Sequence, residues 1–258
     1  NNANDVFLRQ PFNGVWKPWT WAQAGDESRR MATALKQLNL PRGSHIAILS
    51  KNCAHWIMAD IAIMMAGCVS IPVYPTLSAS AILPILEHSD TKAIFIGKLD
   101  DFKSQEQGIP QNMIRIGFDD YGLHQPYNWN DLIKTASPTE TPYEWSHDDL
   151  QTIIYTSGTT GKPKGVMHTA GNFDAVLQIA IKELKLPHRP VLFSYLPLSH
   201  IAERVGIELN GLYTGATISF AESIDTFAKN VAEVQPNLFF AVPRLWSKFR
   251  EGILKKIP

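Results

Sequence analysis

One stretch of the sequence reads Tyr155-Thr-Ser-Gly-Thr-Thr-Gly-Lys-Pro-Lys-Gly165 and directly follows a short apolar run. It combines four Ser or Thr residues, three glycines and two lysines within eleven positions. Glycines let the backbone turn its N–H groups toward an anion without steric cost. The hydroxyls and lysines add donors and positive charge. This composition favours a loop that binds a polyphosphate, and a flexible surface loop is the alternative on composition alone.

This stretch is not a Walker A loop, because Gly-x-x-x-x-Gly-Lys-Ser/Thr cannot be placed on it in any register. Pro163 also prevents the loop from continuing directly into a helix. The order of residues instead resembles the phosphate loop of the AMP-binding, adenylate-forming superfamily, with every position filled. Residues 65–67 and 71–76 resemble an early helix–strand motif of that family, and residues 19–52 resemble its amino-terminal region. The resemblance therefore covers nearly the whole chain.

A second segment, Tyr195-Leu-Pro-Leu-Ser-His200-Ile-Ala-Glu-Arg204, resembles the next motif of the family in its long-chain acyl-CoA synthetase form. The run from Gln235 to Trp246 is also similar to that branch. From the residues alone, His200 could be a structural histidine, whereas the resemblance implies that it lines the acyl and adenylate site. Arg204 departs from relatives that place a tryptophan gate near this point. It could form an ion pair or contact the substrate carboxylate.

The resemblance implies a two-step reaction that uses ATP, Mg²⁺ and CoA and acts on a long-chain fatty acid. The acid and ATP give acyl-AMP and pyrophosphate, and CoA then gives the thioester. Lys164 is expected to stabilise the departing pyrophosphate, which makes Lys164 and His200 the predicted catalytic residues. Thr156 is the expected Mg²⁺ ligand. The residues expected to bind the β- and γ-phosphates are Thr156, Ser157, Gly158, Thr159, Thr160, Gly161, Lys162 and Lys164.

The family resemblance also implies segments that this sequence does not contain. They include a Tyr-Gly-x-Thr/Ser-Glu motif whose Glu binds Mg²⁺, an Asp for the ribose, and a mobile carboxy-terminal domain with a catalytic Lys. The pair Thr139-Glu140 precedes the phosphate loop and lies between two prolines, so it does not supply that motif. We therefore expect an amino-terminal fragment that is inactive alone and lacks most of the adenosine pocket and much of the acyl tunnel.

Helical and strand-like patterns alternate along the chain, with apolar strands of four to six residues. Such strands are buried on both faces, which predicts an α/β fold with a mainly parallel sheet layered with helices. By resemblance it is part of the large amino-terminal domain of an adenylate-forming enzyme. Prolines near 187–190 predict a boundary between a first subdomain (1–187) and the start of a second (188–258). Predicted details include a strand at Leu238–Val242 and a cap from Ser50 or Asn52 on the helix that follows.

Composition narrows the choice of partner and compartment. Lys plus Arg and Asp plus Glu each total 24, and this zero net charge gives no reason to expect nucleic acid. Two cysteines in apolar surroundings, Cys53 and Cys68, fit a reducing compartment better than a disulfide framework. We expect no signal peptide from residues 1–5, which lack a basic and an apolar region. The longest apolar stretch, 56–74, is interrupted by Asp60 and predicts a buried helix followed by a strand. A cytoplasmic protein is expected, with peripheral membrane contact left open and 246–256 as a weak candidate.

Two other functions remain open at this stage. One is an enzyme of the same family that releases acyl-AMP or loads a carrier protein, against which the Ser-His-Ile-Ala-Glu-Arg context argues. The other is a non-catalytic module that binds a nucleotide or a partner. The sequence does not indicate the acyl chain length or the oligomeric state.

Overall fold

The computed structural model of the chain describes residues 3–156 and 163–254. The described strands are β1 (Val6–Phe12), β2 (Val15–Thr20), β3 (His45–Leu49), β4 (Val69–Val73), β5 (Ala93–Ile96), β6 (Ile114–Gly117), β7 (Tyr127–Asn128), β8 (Leu150–Thr156), β9 (Lys164–Thr169), β10 (Val191–Ser194) and β11 (Thr217–Phe220). Within these ranges they form a seven-stranded sheet, ordered β7-β6-β5-β3-β4-β8-β9, and a four-stranded sheet, ordered β10-β11-β1-β2.

Helices connect most of the strands. They are α1 (Trp21–Gln37), α2 (Ala54–Met65), α3 (Ala79–His88), α4 (Phe102–Gln105), α5 (Trp129–Thr135), α6 (Ala170–Leu184), α7 (Ile201–Glu203), α8 (Asn210–Thr214), α9 (Phe227–Val234) and α10 (Pro243–Leu254). A π-helical segment, Arg204–Leu209, joins α7 to α8 without a break. We call the continuous helical stretch 201–214 the His200 helix, because His200 is its N-cap residue.

The large sheet is parallel from β7 to β8, and β9 is its antiparallel edge. Its central strands are short apolar runs whose residues are almost all inaccessible on both faces, as in β3 and β5. Helices cover both faces, which is the arrangement that such runs require. The predicted α/β fold with a mainly parallel sheet is confirmed.

Helix α2 and strand β4 confirm the predicted buried helix and strand. Nearly all of α2 is buried, and β4 is buried throughout. None of the described helices is long and apolar enough to cross a membrane. The predicted cap of α2 is wrong: Cys53 occupies the N-cap position and makes no side-chain cap. The side chains of Ser50 and Asn52 are engaged elsewhere, with Ser50 Oγ accepting from the N–H of Lys98.

The small sheet contains two features that differ from the expectations. The hairpin β1–β2 was not predicted, and it joins β10 and β11 from the other end of the chain. The predicted strand at Leu238–Val242 is wrong, because within the described residues only Leu238 of that run forms a bridge, to Leu192. The sheets therefore do not divide the chain at 187/188, and the two-subdomain boundary stays a prediction.

Candidate active site

The predicted phosphate loop connects two strands of a hairpin. Strand β8 leads into the loop and β9 leaves it, with Thr156 directly opposite Lys164 at the last registered pair. Both residues are exposed. Directly opposed residues of antiparallel strands have Cβ atoms about 4.5–5.5 Å apart. The structure thus brings together the predicted Mg²⁺ ligand and a predicted catalytic lysine. The other predicted phosphate-binding residues, 157–162, lie outside the described residues.

Gly165 lets the two strands of this hairpin approach closely. A Cβ atom at this position would lie 2.7 Å from Cγ2 of Ile153 and 3.2 Å from Cζ of Tyr155. The Tyr155 hydroxyl is itself fixed by a hydrogen bond of 2.7 Å with Nδ1 of His88. The glycine that ends the quoted motif is therefore needed for close packing of β9 against β8.

His200 lies on a different element, after β10 of the small sheet. Its imidazole is exposed, and its Nδ1 accepts a hydrogen bond of 3.1 Å from the N–H of Ala202, which caps the His200 helix. This contact gives His200 the structural role that the sequence allowed. Its predicted role in lining the acyl and adenylate site stays a prediction.

Asn52 and Glu203 hold the loop 195–200 between β10 and the His200 helix. The Asn52 amide donates to the carbonyl of Leu196 at 2.6 Å, and its oxygen accepts from the N–H of Leu198 at 3.0 Å. Glu203 Oε1 accepts from the Ser194 hydroxyl and from the N–H of Tyr195, both at 2.9 Å. Because Asn52 follows β3, this contact attaches the loop to the large sheet.

The Glu203 carboxyl has an unusual proton affinity. Burial raises its pKa from 4.5 to about 8, against the opposing effect of the hydrogen bonds from Ser194 and Tyr195. Desolvation disfavours the carboxylate more than these donors stabilise it. Glu203 is therefore mainly protonated at neutral pH, and one of its oxygens serves as the acceptor for the loop.

Arg204, the next residue, is fully buried. Its guanidinium forms an ion pair with Asp60 of α2, lies 3.4 Å from Oε2 of Glu208, and donates to the hydroxyl of Thr152 on β8 at 2.6 Å. Burial, with the nearby charge of Asp60, raises the pKa of Glu208 well above its ordinary value. Of the two roles that the sequence allowed for Arg204, the structure shows the ion pair.

Two depressions flank the loop 195–200. An apolar groove of about 360 Å³ is lined by Val176, Leu184, Ile201, Ala202, Glu203, Val205, Gly206, Ile207, Leu238 and Phe240. A more polar cleft of about 230 Å³ lies where the carboxyl ends of β3, β4, β5, β10 and β11 meet, and Lys51, Asn52, Lys98, Ser194 and Tyr195 contribute to its wall. Carboxyl ends of parallel strands are the usual place for ligands in open α/β sheets.

The hairpin β8–β9, which we call the phosphate hairpin, the parallel sheet and the loop 195–200 are the features expected of an adenylate-forming protein, and comparison with known families agrees. The sequence model of the family described as AMP-binding enzyme matches residues 1–256. The chain belongs to this family, as its motifs predicted.

Several curated relatives carry the names of long-chain acyl-CoA synthetases or ligases. The chain is 28% identical to Long chain acyl-CoA synthetase 2 of Arabidopsis thaliana, over 93% of this chain and 39% of that protein. It is likewise 28% identical to a long-chain-fatty-acid–CoA ligase of Homo sapiens, over 93% of this chain and 38% of that protein. The chain thus spans less than half the length of these relatives.

Solved structures share the fold. A benzoate CoA ligase from Burkholderia xenovorans superposes with a TM-score of 0.82 at 22% identity, covering 95% of this chain and 48% of that one. An anthranilate CoA ligase in complex with anthranoyl-AMP gives a TM-score of 0.81 at 20% identity, covering 91% of this chain and 46% of that one. At these identities the likeness establishes the architecture.

Sequence reasoning missed several buried polar residues around the site. Asn52 was considered only as a helix cap, and no role was given to Glu203 or Thr152. A signal for one of them was present, since Asp60 interrupts an otherwise apolar helix. A buried carboxylate requires a partner, but the partner, Arg204, is 144 residues away in the sequence.

Proposed function

We propose that this chain is the amino-terminal part of a long-chain fatty acid–CoA ligase that forms AMP, and that it does not complete the reaction alone. In the first step a carboxylate oxygen attacks the α-phosphorus of ATP, and the bond to the β-phosphate breaks to release pyrophosphate. In the second step the CoA thiol attacks the acyl carbon, and AMP leaves. The chain's share of relatives' length, 39% in one case, supports the proposal that other segments complete the site.

The observation that carries this proposal is the hairpin that places Thr156 opposite Lys164. Both side chains are exposed at the mouth of a loop whose sequence matches the family signature. A cation held on a rigid strand stabilises developing negative charge without reorganising during the reaction. We assign Lys164 to the departing pyrophosphate, and residues 156–162 with Lys164 to the β- and γ-phosphates.

The residues present fit Mg²⁺ bound mainly through the nucleotide. No group of three or more His, Cys, Asp or Glu residues in the described ranges could hold a metal ion. Mg²⁺ usually keeps several waters and binds through substrate phosphates with few protein ligands. The exposed Thr156 hydroxyl is suited to be one such ligand. Bound Mg²⁺ would supply charge neutralisation at the phosphates.

The apolar groove supports the assignment of a fatty acid as the substrate. It is lined by residues of the His200 helix, by aliphatic residues of α6 and by Leu238 and Phe240. Burying one methylene group contributes about 0.8 kcal/mol, so such a wall favours a long alkyl chain over a small polar acid. We propose that the first part of the acyl chain lies here, with His200 at the end nearer the reacting carboxylate.

Acid-dependent ATP–pyrophosphate exchange with palmitate and Mg²⁺ tests this function. The full-length enzyme, this chain alone and full-length Lys164→Ala are compared, with Lys134→Ala as a matched control. Lys134 is an exposed lysine on α5, near the opposite edge of the large sheet. We expect exchange in the full-length enzyme and the control, none in this chain alone, and a loss of roughly 10²–10³-fold in Lys164→Ala.

The other outcomes separate the alternatives. Full exchange by this chain alone would contradict the proposal that other segments are needed to complete the site. Exchange without thioester formation on addition of CoA would favour release of acyl-AMP or loading of a carrier protein. Absence of acid-dependent exchange in the full-length enzyme would favour a binding module.

A further inference from the structure

Arg204 connects three elements through one buried side chain. Its guanidinium binds Asp60 of α2 and Thr152 of β8, and it lies 3.4 Å from Glu208 in the next turn of its own helix. The rings of Trp56 and Phe173 each lie 5.7 Å from the guanidinium carbon. The side chain is thus surrounded by residues of α2, β8 and α6.

Thr152 connects Arg204 to the phosphate hairpin, because it is a residue of β8. Its hydroxyl accepts from Arg204 at 2.6 Å and donates to the carbonyl of Ser70 on β4 at 2.7 Å. Ser70 and Thr152 are also the registered pair between β4 and β8. Thr152 lies four positions before Thr156 on the same strand, so Arg204 is bonded to the strand that carries the loop.

The backbone of Arg204 is bonded to the loop that ends at His200. Its backbone N–H donates to the carbonyl of His200 at 3.1 Å. The neighbouring Glu203, Val205 and Gly206 line the apolar groove. One residue therefore joins the hairpin of the large sheet to the loop and helix that follow the small sheet.

Stability alone does not account for this arrangement. Desolvating a buried ion pair costs free energy that its Coulomb attraction repays only in part, and well-packed apolar substitutes are often as stable. A guanidinium does, however, fix direction, because its donors form a rigid planar fork. Here the guanidinium holds Asp60 of α2 and Thr152 of β8 at fixed positions relative to the His200 helix.

We propose that Arg204 is a positioning residue for adenylyl transfer: it aligns the phosphate hairpin with the loop ending at His200 and with the groove beside it. This role rests on the proposed function. It places the phosphates and the acyl carboxylate in register from two different sheets. A misplacement of about 1 Å in such a site costs on the order of 10²-fold in rate.

The test uses the full-length enzyme with Thr152→Val and Arg204→Lys. Valine keeps the shape of threonine but removes the hydroxyl that joins Arg204 to Ser70, and lysine cannot reproduce the planar fork. Thr91→Val is the matched control, since Thr91 is also buried and its hydroxyl is 2.6 Å from that of Ser89, at the amino end of β5. Steady-state ATP–pyrophosphate exchange is measured where circular dichroism shows each protein folded.

We expect kcat/KM for MgATP to fall roughly 10- to 100-fold in Thr152→Val and Arg204→Lys, with a raised KM that a smaller folded fraction would not produce. Thr91→Val should lose stability and keep its KM. If Arg204→Lys does not fold, the result for Thr152→Val alone tests the positioning role. A wild-type enzyme that exchanges normally, with Thr152→Val within about twofold of it, overturns the positioning role alone. A wild-type enzyme without exchange overturns the proposed function, and this role with it.

Discussion

Replacing Glu203 by glutamine is expected to stabilise the protein at neutral pH. The carboxyl is buried with a pKa of about 8, against 4.5 for an ordinary glutamate. The folded state therefore binds a proton that the unfolded state releases at lower pH. This group's contribution to stability is fully present below about pH 4.5 and is lost as pH rises toward and through about 8.

The size of the effect follows from the two pKa values. One pKa unit corresponds to about 1.4 kcal/mol, so the wild-type protein loses roughly 5 kcal/mol across this titration and roughly 3 kcal/mol by pH 7. Glutamine keeps an oxygen that can accept from Ser194 and Tyr195 and does not titrate. The variant should match the wild type near pH 4.5 and exceed it by roughly 3 kcal/mol at pH 7.

Urea unfolding of both proteins between pH 4.5 and 8 measures this difference. Glu87→Gln is the control, because it makes the same chemical change at an exposed glutamate on α3. A difference between Glu203→Gln and the wild type that stays constant with pH would refute proton uptake by Glu203. A variant that is less stable than the wild type at pH 8 would contradict the predicted stabilisation.

Two further predictions concern packing and thiol reactivity. Gly165→Ala should destabilise the protein by about 1–3 kcal/mol and weaken MgATP binding, because the added methyl would overlap Ile153; unchanged urea unfolding and MgATP titrations would contradict this. Cys53 and Cys68 are inaccessible, and burial raises the pKa of the Cys68 thiol to about 11. Both should react with a thiol reagent only as fast as the protein unfolds, and rapid labelling of the native protein would disprove this.

The central strands could be predicted because their pattern is local. Strands β3, β4, β5 and β11 coincide with short, mainly apolar runs of four or five residues that are flanked by turn residues. A strand that is buried on both faces needs mainly apolar side chains, so its ends are visible in the sequence.

Strands that pair with a segment far away in the sequence, or that lie at an exposed edge of a sheet, could not be predicted in this way. The hairpin β1–β2 contains Pro11 and Pro18 and is partly exposed, and β9 is an edge strand with exposed Met167. Neither shows the continuous apolar run of a central strand. Conversely, Leu238–Val242 has such a run but lacks a paired strand in the described part of the chain.

The candidate site was predictable only as far as its motifs extend. The quoted segments suggested Thr156, Lys164 and His200 as candidates, but they did not indicate that β9 turns back to place Lys164 opposite Thr156. The partners of Asp60 could not be deduced, because charge complementarity between distant residues depends on the tertiary fold.

Polar residues join the two sheets between the two segments that we propose to form one site. The hairpin belongs to the large sheet, and the loop ending at His200 follows a strand of the small sheet. Apolar packing alone resists separation of the two sheets. It only weakly prevents them from sliding past each other, because it is non-directional. Hydrogen bonds lose strength steeply when their angles change. The bonds that Asn52, Glu203 and Arg204 make across this junction therefore restrict sliding, as the proposed reaction between groups held on two sheets requires.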